Sequence, residues 1–341
     1  MTDYERICAE SRNLSEEEQA EVLRYIQRIQ GGKDGRKKER QTVDSEKVPH
    51  CPHRGGEEAV IRFGHKRGKQ RFYCKDCDKV FMSSTRTLME NSRCNEEEWR
   101  AVVADTLNSM ISIDKTAEKL GLSHQTVFHM RHKILMSLQA RQTASPTILK
   151  EIAELDETYV LENQKGRKLS PDAPRQPRKH GEKATISGVS NEQICIMTGV
   201  QRSVGPAYAV TLNRAHPSAE EIKRAFQGHI SGCVAFTDGL KGYKRLEEVA
   251  DCVIESVNRQ NQKKSETVNL NNVNNFHSYI HERYSHYRGV ATQYINRYNA
   301  LFCAIYRAKE FLSELADSIL LSIRSHIFSY RDIHHALLTI I

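Results

Sequence analysis

The chain has 341 residues and a formal net charge of +8, which predicts two or three domains and favours a polyanionic partner without requiring one. No apolar run approaches the roughly 18 residues that a membrane-spanning helix needs, and the first residues, Met1–Arg6, lack the apolar segment of a secretory signal. The nine cysteines are an odd number, mostly scattered singly, which favours a reducing compartment over a disulfide framework. We therefore expect a cytoplasmic protein with no membrane partner.

Residues 1–47 are predicted to form one amphipathic helix and a basic linker. Ser15 is followed three residues later by Glu18, which is the spacing of a capping box at a helix N-terminus. Apolar residues continue at helical spacing until Gly31-Gly32, where the helix is expected to end. The linker that follows, residues 33–47, could touch phosphate or be a solvated tether.

Residues 48–85 have the pattern of a zinc ribbon. Cys74 and Cys77 have the C-x-x-C spacing that holds one Zn²⁺ between two thiolates, and Cys51 stands in an upstream knuckle. Residues 60–73, between these cysteines, predict a hairpin with a basic tip. Arg54 occupies the place where a ribbon normally has its second knuckle cysteine, so the fourth ligand is expected to be His53, or alternatively His50 or His65. The predicted zinc ligands are Cys51, His53, Cys74 and Cys77; the alternative is a ribbon that has lost its metal.

Residues 95–142 predict a helix-turn-helix that binds DNA. The only tryptophan, Trp99, lies on the first predicted helix and is expected in the hydrophobic core. Ala117 is small enough to let two helices cross closely. Gly121 permits the turn, and Ser123 caps the next helix. Apolar side chains would face the core: Leu122, Val127, Ile134 and Leu135. Polar and basic side chains would be free to enter a groove: His124, Gln125, His129, Arg131, His132 and Lys133. The alternative is a helical hairpin whose basic residues are merely solvated.

From residue 148 the pattern changes to alternating strands and helices. The predicted strands cover residues 152–161, 186–189 with 193–201, 207–212, 233–237 and 252–257, and the predicted helices cover residues 218–228, 239–249 and 271–287. A polar, basic loop is expected over residues 163–183. Three meandering strands followed by helix–strand alternation predict a mixed five-stranded sheet with flanking helices, the order of an RNase H-like α/β fold, over residues 148–305. A helical extension, residues 306–341, carries an apolar stripe that could pack on this domain or join subunits.

Two aspartates and an asparagine are predicted to converge at one edge of this sheet. Asp156 lies on the first strand, Asp238 ends the fourth, and Asn274 lies on the helix after the fifth. Their oxygens are the ligands that Mg²⁺ prefers. His277 and His281 share the helix face of Asn274 and could orient phosphate.

Two acidic residues compete with these ligands. Glu157 competes with Asp156, but adjacent strand residues face opposite sides, so only one of them is expected to reach a metal. Glu282 competes with Asn274, eight positions further along the helix and about 80° round it.

Several motifs of the chain resemble those of bacterial insertion-sequence transposases of the DDE superfamily, in the group that joins a zinc ribbon, a helix-turn-helix and an RNase H-like domain. The resemblance covers residues 48–305 and is most specific at residues 155–159 (LDETY), 237–239 (TDG), 273–278 (VNNFHS) and 289–294 (GVATQY). Some members have asparagine as the third catalytic residue, as at Asn274. The family often has lysine where this chain has His281.

The resemblance implies a nucleoid-associated DNA transposase with Asp156, Asp238 and Asn274 as its catalytic triad. It implies two Mg²⁺, or Mn²⁺, in the catalytic site, transposon ends and target double-stranded DNA as partners, and a homo-oligomer on DNA. The reaction would be hydrolysis at the element's terminal inverted repeats, followed by strand transfer from the released 3′-OH. Two alternatives stay open: a DNA-binding transcriptional regulator derived from a decayed transposase, and a structure-selective RNase H-like nuclease.

Overall fold

The computed structural model describes residues 49–66, 68–166, 184–203, 205–257, 268–308 and 311–324. These residues fall into two compact units, divided after Ser83. The predicted N-terminal helix and linker, most of the predicted basic loop, and the end of the C-terminal extension lie outside the described residues. No helix in the described part of the chain is long and apolar enough to cross a membrane.

Eight strands and seven α-helices make up the described secondary structure, with two short 3₁₀ helices at Lys241–Glu248 and Thr292–Tyr294. In chain order they are β1 (Val60–Lys66), β2 (Lys69–Cys74), β3 (Lys79–Phe81), α1 (Glu96–Leu107), α2 (Ile113–Leu120), α3 (His124–Ala144), β4 (Leu149–Leu161), β5 (Gln193–Gln201), β6 (Ala207–Arg214), α4 (Ala219–Phe226), β7 (Ile230–Thr237), β8 (Cys252–Ser256), α5 (Asn271–His286), α6 (Ile295–Arg307) and α7 (Leu312–Arg324).

The first unit is a small antiparallel sheet in the order β1-β2-β3, and it includes the predicted hairpin. Its core consists of five buried side chains: Cys51, Val60, Phe72, Cys74 and Phe81. A core of this size rarely stabilises a fold alone, and small units of this kind usually need a metal or a disulfide. Two of the five core residues are cysteines, the residue type that can bind a metal or form a disulfide.

The predicted helix-turn-helix geometry is present in α2 and α3. Gly121 ends α2 in the left-handed conformation, with φ of 62°, and Ser123 caps α3 by accepting a hydrogen bond from the Thr126 N–H. Ala117 is buried where the helices meet, and Trp99 on α1 is 1% exposed, as expected for a core residue.

The sheet of the second unit has the strand order β6-β5-β4-β7-β8. β4 pairs antiparallel with β5, and β5 with β6, whereas β4 pairs parallel with β7, and β7 with β8. If the five strands of this sheet are numbered along the chain, their spatial order is third, second, first, fourth, fifth. The prediction of a mixed five-stranded RNase H-like sheet with flanking helices is confirmed. One predicted segment differs: residues 186–189 are not a strand.

The two faces of this sheet are covered differently. The face with Ile194 and Ile196 shares one large hydrophobic core with helices α1, α3, α5, α6 and α7. The face with Cys195 and Met197 is covered by α4 and the first 3₁₀ helix. In the C-terminal stripe, Ile319 and Leu320 are buried in the large core, so the described part of the extension packs on this domain.

Candidate active site

The parallel pairing of β4 and β7 brings two aspartates to the same edge of the sheet. Glu154 lies opposite Phe236 in the ladder, and Asp156 and Asp238 each follow two residues later. The carboxyl ends of parallel strands form a common edge, where α/β proteins place their ligands. One carboxylate oxygen from each of Asp156, Glu157 and Asp238 lies within 4.8 Å of the other two.

The inclusion of Glu157 corrects the expectation that only one of the two neighbouring carboxylates could reach this edge. Asp156 pairs with Thr198 and Glu157 with Met197, so the two side chains do leave the strand on opposite faces. The ladder with β7 stops at Glu154, however, and leaves the edge beyond it open. Tyr243 donates its hydroxyl proton to Glu157 Oε2 at 2.9 Å and holds that longer side chain at the open edge.

The clustering of three carboxylates changes their acidity. Burial, with the charges of Glu157 and Asp238 as further causes, raises the pKa of Asp156 to about 7. Burial also raises the pKa of Glu157. A group of hard oxygen ligands that repel one another is suited to a divalent cation such as Mg²⁺, which would offset this repulsion.

The raised pKa of Asp156 predicts a pH-dependent cost in the absence of a divalent cation. The folded chain keeps the proton up to about pH 7, whereas the unfolded chain releases it near the ordinary value of 3.8. Folding stability should therefore fall as the pH rises from about 4 to about 7, by at most roughly 4 kcal/mol for a shift of this size. Because asparagine cannot titrate, we expect Asp156→Asn to lack this loss and to be more stable than the wild type above neutral pH. Urea denaturation of Mg²⁺-free protein across this pH range measures the difference; parallel stability curves would contradict it.

His277 and His281 on α5 contact the strand that carries Asp156. Thr198 donates its hydroxyl proton to the Asp156 carbonyl oxygen at 2.8 Å, so the His277 Nε2, 2.7 Å from the same hydroxyl, must be the donor to it. The His277 Nδ1 then faces Asp156 Oδ2 at 3.9 Å as an unprotonated nitrogen. His281 Nε2 lies 2.6 Å from the Thr158 hydroxyl.

Both imidazoles are neutral near pH 7. Burial lowers the pKa of His277 to about 4, with the neighbouring His281 as a further cause, and burial lowers the pKa of His281. His277 attaches α5 to Thr198 on β5, and His281 attaches it to Thr158 on β4. Neither ring supplies the positive charge of the lysine that the family often has at the His281 position.

Asn274 lies on α5 one turn before His277, on the same helix face, and is exposed. Its competitor Glu282 is also exposed and has Arg283 Nη1 3.3 Å from its Oε2. The role of Asn274 as a metal ligand stays a prediction.

Three of the four predicted zinc ligands come together in the first unit. The sulfurs of Cys51, Cys74 and Cys77 all lie within 4.8 Å of one another, and the Cys51 and Cys77 sulfurs are 3.7 Å apart. The backbone N–H of Cys77 donates to the Cys74 sulfur and lowers the pKa of that thiol, whereas burial raises the pKa of the Cys77 thiol to about 11.

The candidate histidines do not complete this thiol cluster. Among the described residues, the cluster includes none of His50, His53 and His65, and His50 Nε2 instead lies 2.8 Å from Glu57 Oε1. Arg54, at the place of the missing cysteine, donates to the Asp76 carbonyl oxygen at 3.3 Å. The three thiols suit Zn²⁺, which structural sites bind with four ligands.

Six polar residues of α3 were expected to be free to enter a DNA groove. This expectation is wrong for three of them. Arg131 is 1% exposed, His132 is 6% exposed, and Lys133 donates to the Leu88 carbonyl oxygen at 2.7 Å. α3 is central in the unit and packs against α1, α2, α6 and α7, so little of its surface faces solvent. The exposed members of the set are His124, Gln125 and His129.

His132 is part of an aromatic cluster between α3 and the start of α6. Its ring centroid lies 4.2 Å from that of Phe128 and 4.4 Å from that of Tyr294, and Arg297 Nη1 is 3.4 Å from its Nδ1. Burial lowers the pKa of His132 to about 3, with the Arg297 and Arg131 charges as further causes. The ring is therefore a neutral packing group.

We expect His132→Ala to lower the free energy of unfolding by about 2–3 kcal/mol, because it leaves a cavity between two aromatic rings. His129 is exposed and lies one turn before His132 on the same helix. His129→Ala should therefore change the free energy of unfolding by less than about 0.5 kcal/mol. Urea denaturation of both variants measures this. Unchanged stability of His132→Ala combined with weakened DNA binding would restore His132 as a contact to DNA.

The strand order of the sheet is that of an RNase H-like domain, and three carboxylates lie at its edge. Residues 148–303 match the family model described as the ISXO2-like transposase domain. This segment runs from the residue before β4 into α6 and contains all three clustered carboxylates. This segment is therefore similar to an ISXO2-like transposase domain.

A protein of Halobacterium salinarum, described as an uncharacterized protein in transposable element ISH50, is 29% identical over 192 residues. The alignment covers 56% of this chain and 62% of that protein, so the chain spans less than two thirds of its relative.

Solved structures give weaker likenesses. A pre-cleavage Mos1 transpososome has a TM-score of 0.25 at 12% identity, covering 69% of this chain and 82% of that chain. A simian T-cell lymphotropic virus intasome in complex with PP2A regulatory subunit B56 gamma has a TM-score of 0.29 at 10% identity, covering 59% and 67%. These TM-scores are too low to establish a shared fold, which is assigned from the strand order.

Proposed function

We propose that the chain is the transposase of an insertion sequence, which cuts DNA at the element's terminal inverted repeats and joins the released ends to target DNA. One observation carries this proposal: three carboxylates from two parallel strands meet at the edge of an RNase H-like sheet. They lie within the segment that matches an ISXO2-like transposase domain. The first step is hydrolysis of a phosphodiester bond, which releases a 3′-OH and leaves a 5′-phosphate. In the second step that 3′-OH attacks a target phosphodiester, is joined to the target's 5′-phosphate, and displaces the target strand's own 3′-OH.

Asp156, Asp238 and Glu157 would hold divalent cations, Mg²⁺ or Mn²⁺, with the Asn274 amide oxygen as a further ligand. Such a pair of cations supplies Lewis-acid stabilisation of the attacking and leaving oxygens. Tyr243 orients Glu157, while His277 holds α5 on β5 and His281 holds it on β4, so the ligand-bearing elements keep their relative positions.

The DNA-holding parts would lie before the catalytic domain. We propose that the exposed α3 residues His124, Gln125 and His129 contact DNA and that the first unit, stabilised by Zn²⁺, makes a second contact. A homo-oligomer on DNA is proposed because cutting two element ends takes more than one active site.

Cleavage of three substrates distinguishes this function from its alternatives. The substrates are linear DNA carrying the gene's own flanks, the same length of unrelated DNA, and a branched junction, each with Mg²⁺ or Mn²⁺. Nicks at defined positions in the flanks alone support the transposase. Tight binding to the flanks without nicks would indicate a regulator, and preferred cleavage of the junction would indicate a structure-selective nuclease.

A further inference from the structure

A buried carboxylate lies two residues before Asp156 on the same face of β4. Glu154 has no exposed surface. Its Oε1 accepts hydrogen bonds from Arg202 Nε and Asn272 Nδ2, both at 2.7 Å, and its Oε2 accepts from the backbone N–H groups of Asn272 at 2.7 Å and Val273 at 2.9 Å. All four partners are donors, so both oxygens are fully used and a buried charge is fully compensated.

Glu154 caps helix α5 from a neighbouring strand. Asn272 and Val273 are the second and third residues of α5, where backbone N–H groups have no partner within the helix. Leu270, at the N-cap position, supplies no side-chain hydrogen bond to them. The negative charge of Glu154 also lies at the positive end of the helix dipole. The start of α5 is therefore fixed to β4 by this one side chain.

Arg202 extends the attachment to a third element. Its Nη2 donates to the Asn269 carbonyl oxygen at 2.8 Å, just before α5, and its guanidinium lies 4.7 Å from the Phe236 ring centroid on β7. The joined positions are each one or two residues from a proposed metal ligand: Glu154 precedes Asp156, Phe236 precedes Asp238, and Val273 precedes Asn274.

We propose that Glu154 is a positioning residue for the metal centre, which sets Asn274 on α5 relative to the carboxylates of Asp156 and Asp238. The inference rests on the proposed function and goes beyond it by assigning a role to a residue that touches neither DNA nor metal. Metal sites depend on such supporting hydrogen bonds, because ligand distances must be held within a few tenths of an ångström. A purely structural Glu154 would affect folding stability and leave metal affinity unchanged.

Mn²⁺ binding to the full chain, measured by electron paramagnetic resonance, tests this without relying on activity. Glu154→Gln keeps the side-chain shape but removes the charge and turns one acceptor into a donor facing donors. We expect it to weaken Mn²⁺ binding by about 10- to 100-fold, and to raise the Mg²⁺ concentration for half-maximal cleavage in parallel. Asn272→Ala, which removes only one of the four donors, should give a smaller loss in the same direction, and it decides the matter if Glu154→Gln does not fold.

Glu162→Gln is the matched control. Glu162 follows β4 directly, has a side chain 8% exposed, and accepts hydrogen bonds from Arg214 at 2.6 and 3.2 Å and from Gln164 at 3.2 Å, two residues that lie outside α5. Its Mn²⁺ affinity should equal that of the wild type. Equal affinity in Glu154→Gln and wild type, or equal losses in Glu154→Gln and Glu162→Gln, would overturn the inference. Wild-type protein that binds Mn²⁺ in a Glu154-dependent way but never cleaves DNA would instead refute the transposase proposal alone.

Discussion

Asp238→Asn is expected to reduce strand cleavage by about 1,000-fold, the upper end of what losing one group that stabilises transition-state charge costs. Asparagine keeps the acceptor for the Leu240 N–H, which Asp238 Oδ1 accepts at 3.0 Å, so the turn after β7 should be preserved. The substitution removes only the negative charge of Asp238, which the cluster would offer to a divalent cation. Cleavage of DNA carrying the gene's flanks measures the loss.

DNA binding and folding should be unaffected by this substitution, since Asp238 is an exposed residue at the end of a strand. Asp251→Asn is the control, because it removes an exposed carboxylate just before β8, outside the cluster. It should cleave like the wild type. Wild-type cleavage by Asp238→Asn would show that the cluster at the sheet edge is not the catalytic centre.

Cys74→Ser is expected to remove zinc from the first unit and to unfold it. Structural zinc binding is worth on the order of 10 kcal/mol, whereas the core of this unit consists of five side chains. Purified wild-type protein should carry about one zinc per chain, and the variant none. Elemental analysis measures the zinc content, and limited proteolysis within residues 49–83 measures the loss of structure.

Cys252→Ser is the control for this experiment. Cys252 is a half-buried cysteine on β8, outside the thiol cluster, so its replacement should leave the zinc content unchanged. A wild-type protein that is folded and free of metal would contradict the zinc assignment, as would a Cys74→Ser variant that keeps its zinc.

Much of the fold follows from local patterns in the sequence. Ser218 and Glu221, three residues apart, form reciprocal caps of α4, and Gly121 adopts the left-handed conformation that the turn between α2 and α3 requires. These features depend on residues a few positions apart, which is why spacing alone predicts them. The convergence of Asp156 and Asp238 was predictable because parallel strands share an edge.

The errors concern side chains whose surroundings come from distant parts of the chain. His132 was expected at a DNA surface, but its neighbour Arg297 is 165 residues away and its ring is enclosed by Tyr294. Alternation along a strand gives the direction in which Glu157 leaves it, but not how far a long side chain bends at an open edge. Glu154 had one sequence signal, an acid within a strand, yet its partners lie 48 to 119 residues away.

The most direct test of the account is a nucleotide-level map of the 3′-OH ends formed when purified protein and Mg²⁺ act on DNA carrying the gene's own flanks, with Asp238→Asn alongside. The account predicts new 3′-OH ends at one defined position in each flank, dependent on the cation and lost in the variant. Ends that persist in the variant, or binding to the flanks without any ends, would contradict metal-dependent cleavage by these carboxylates.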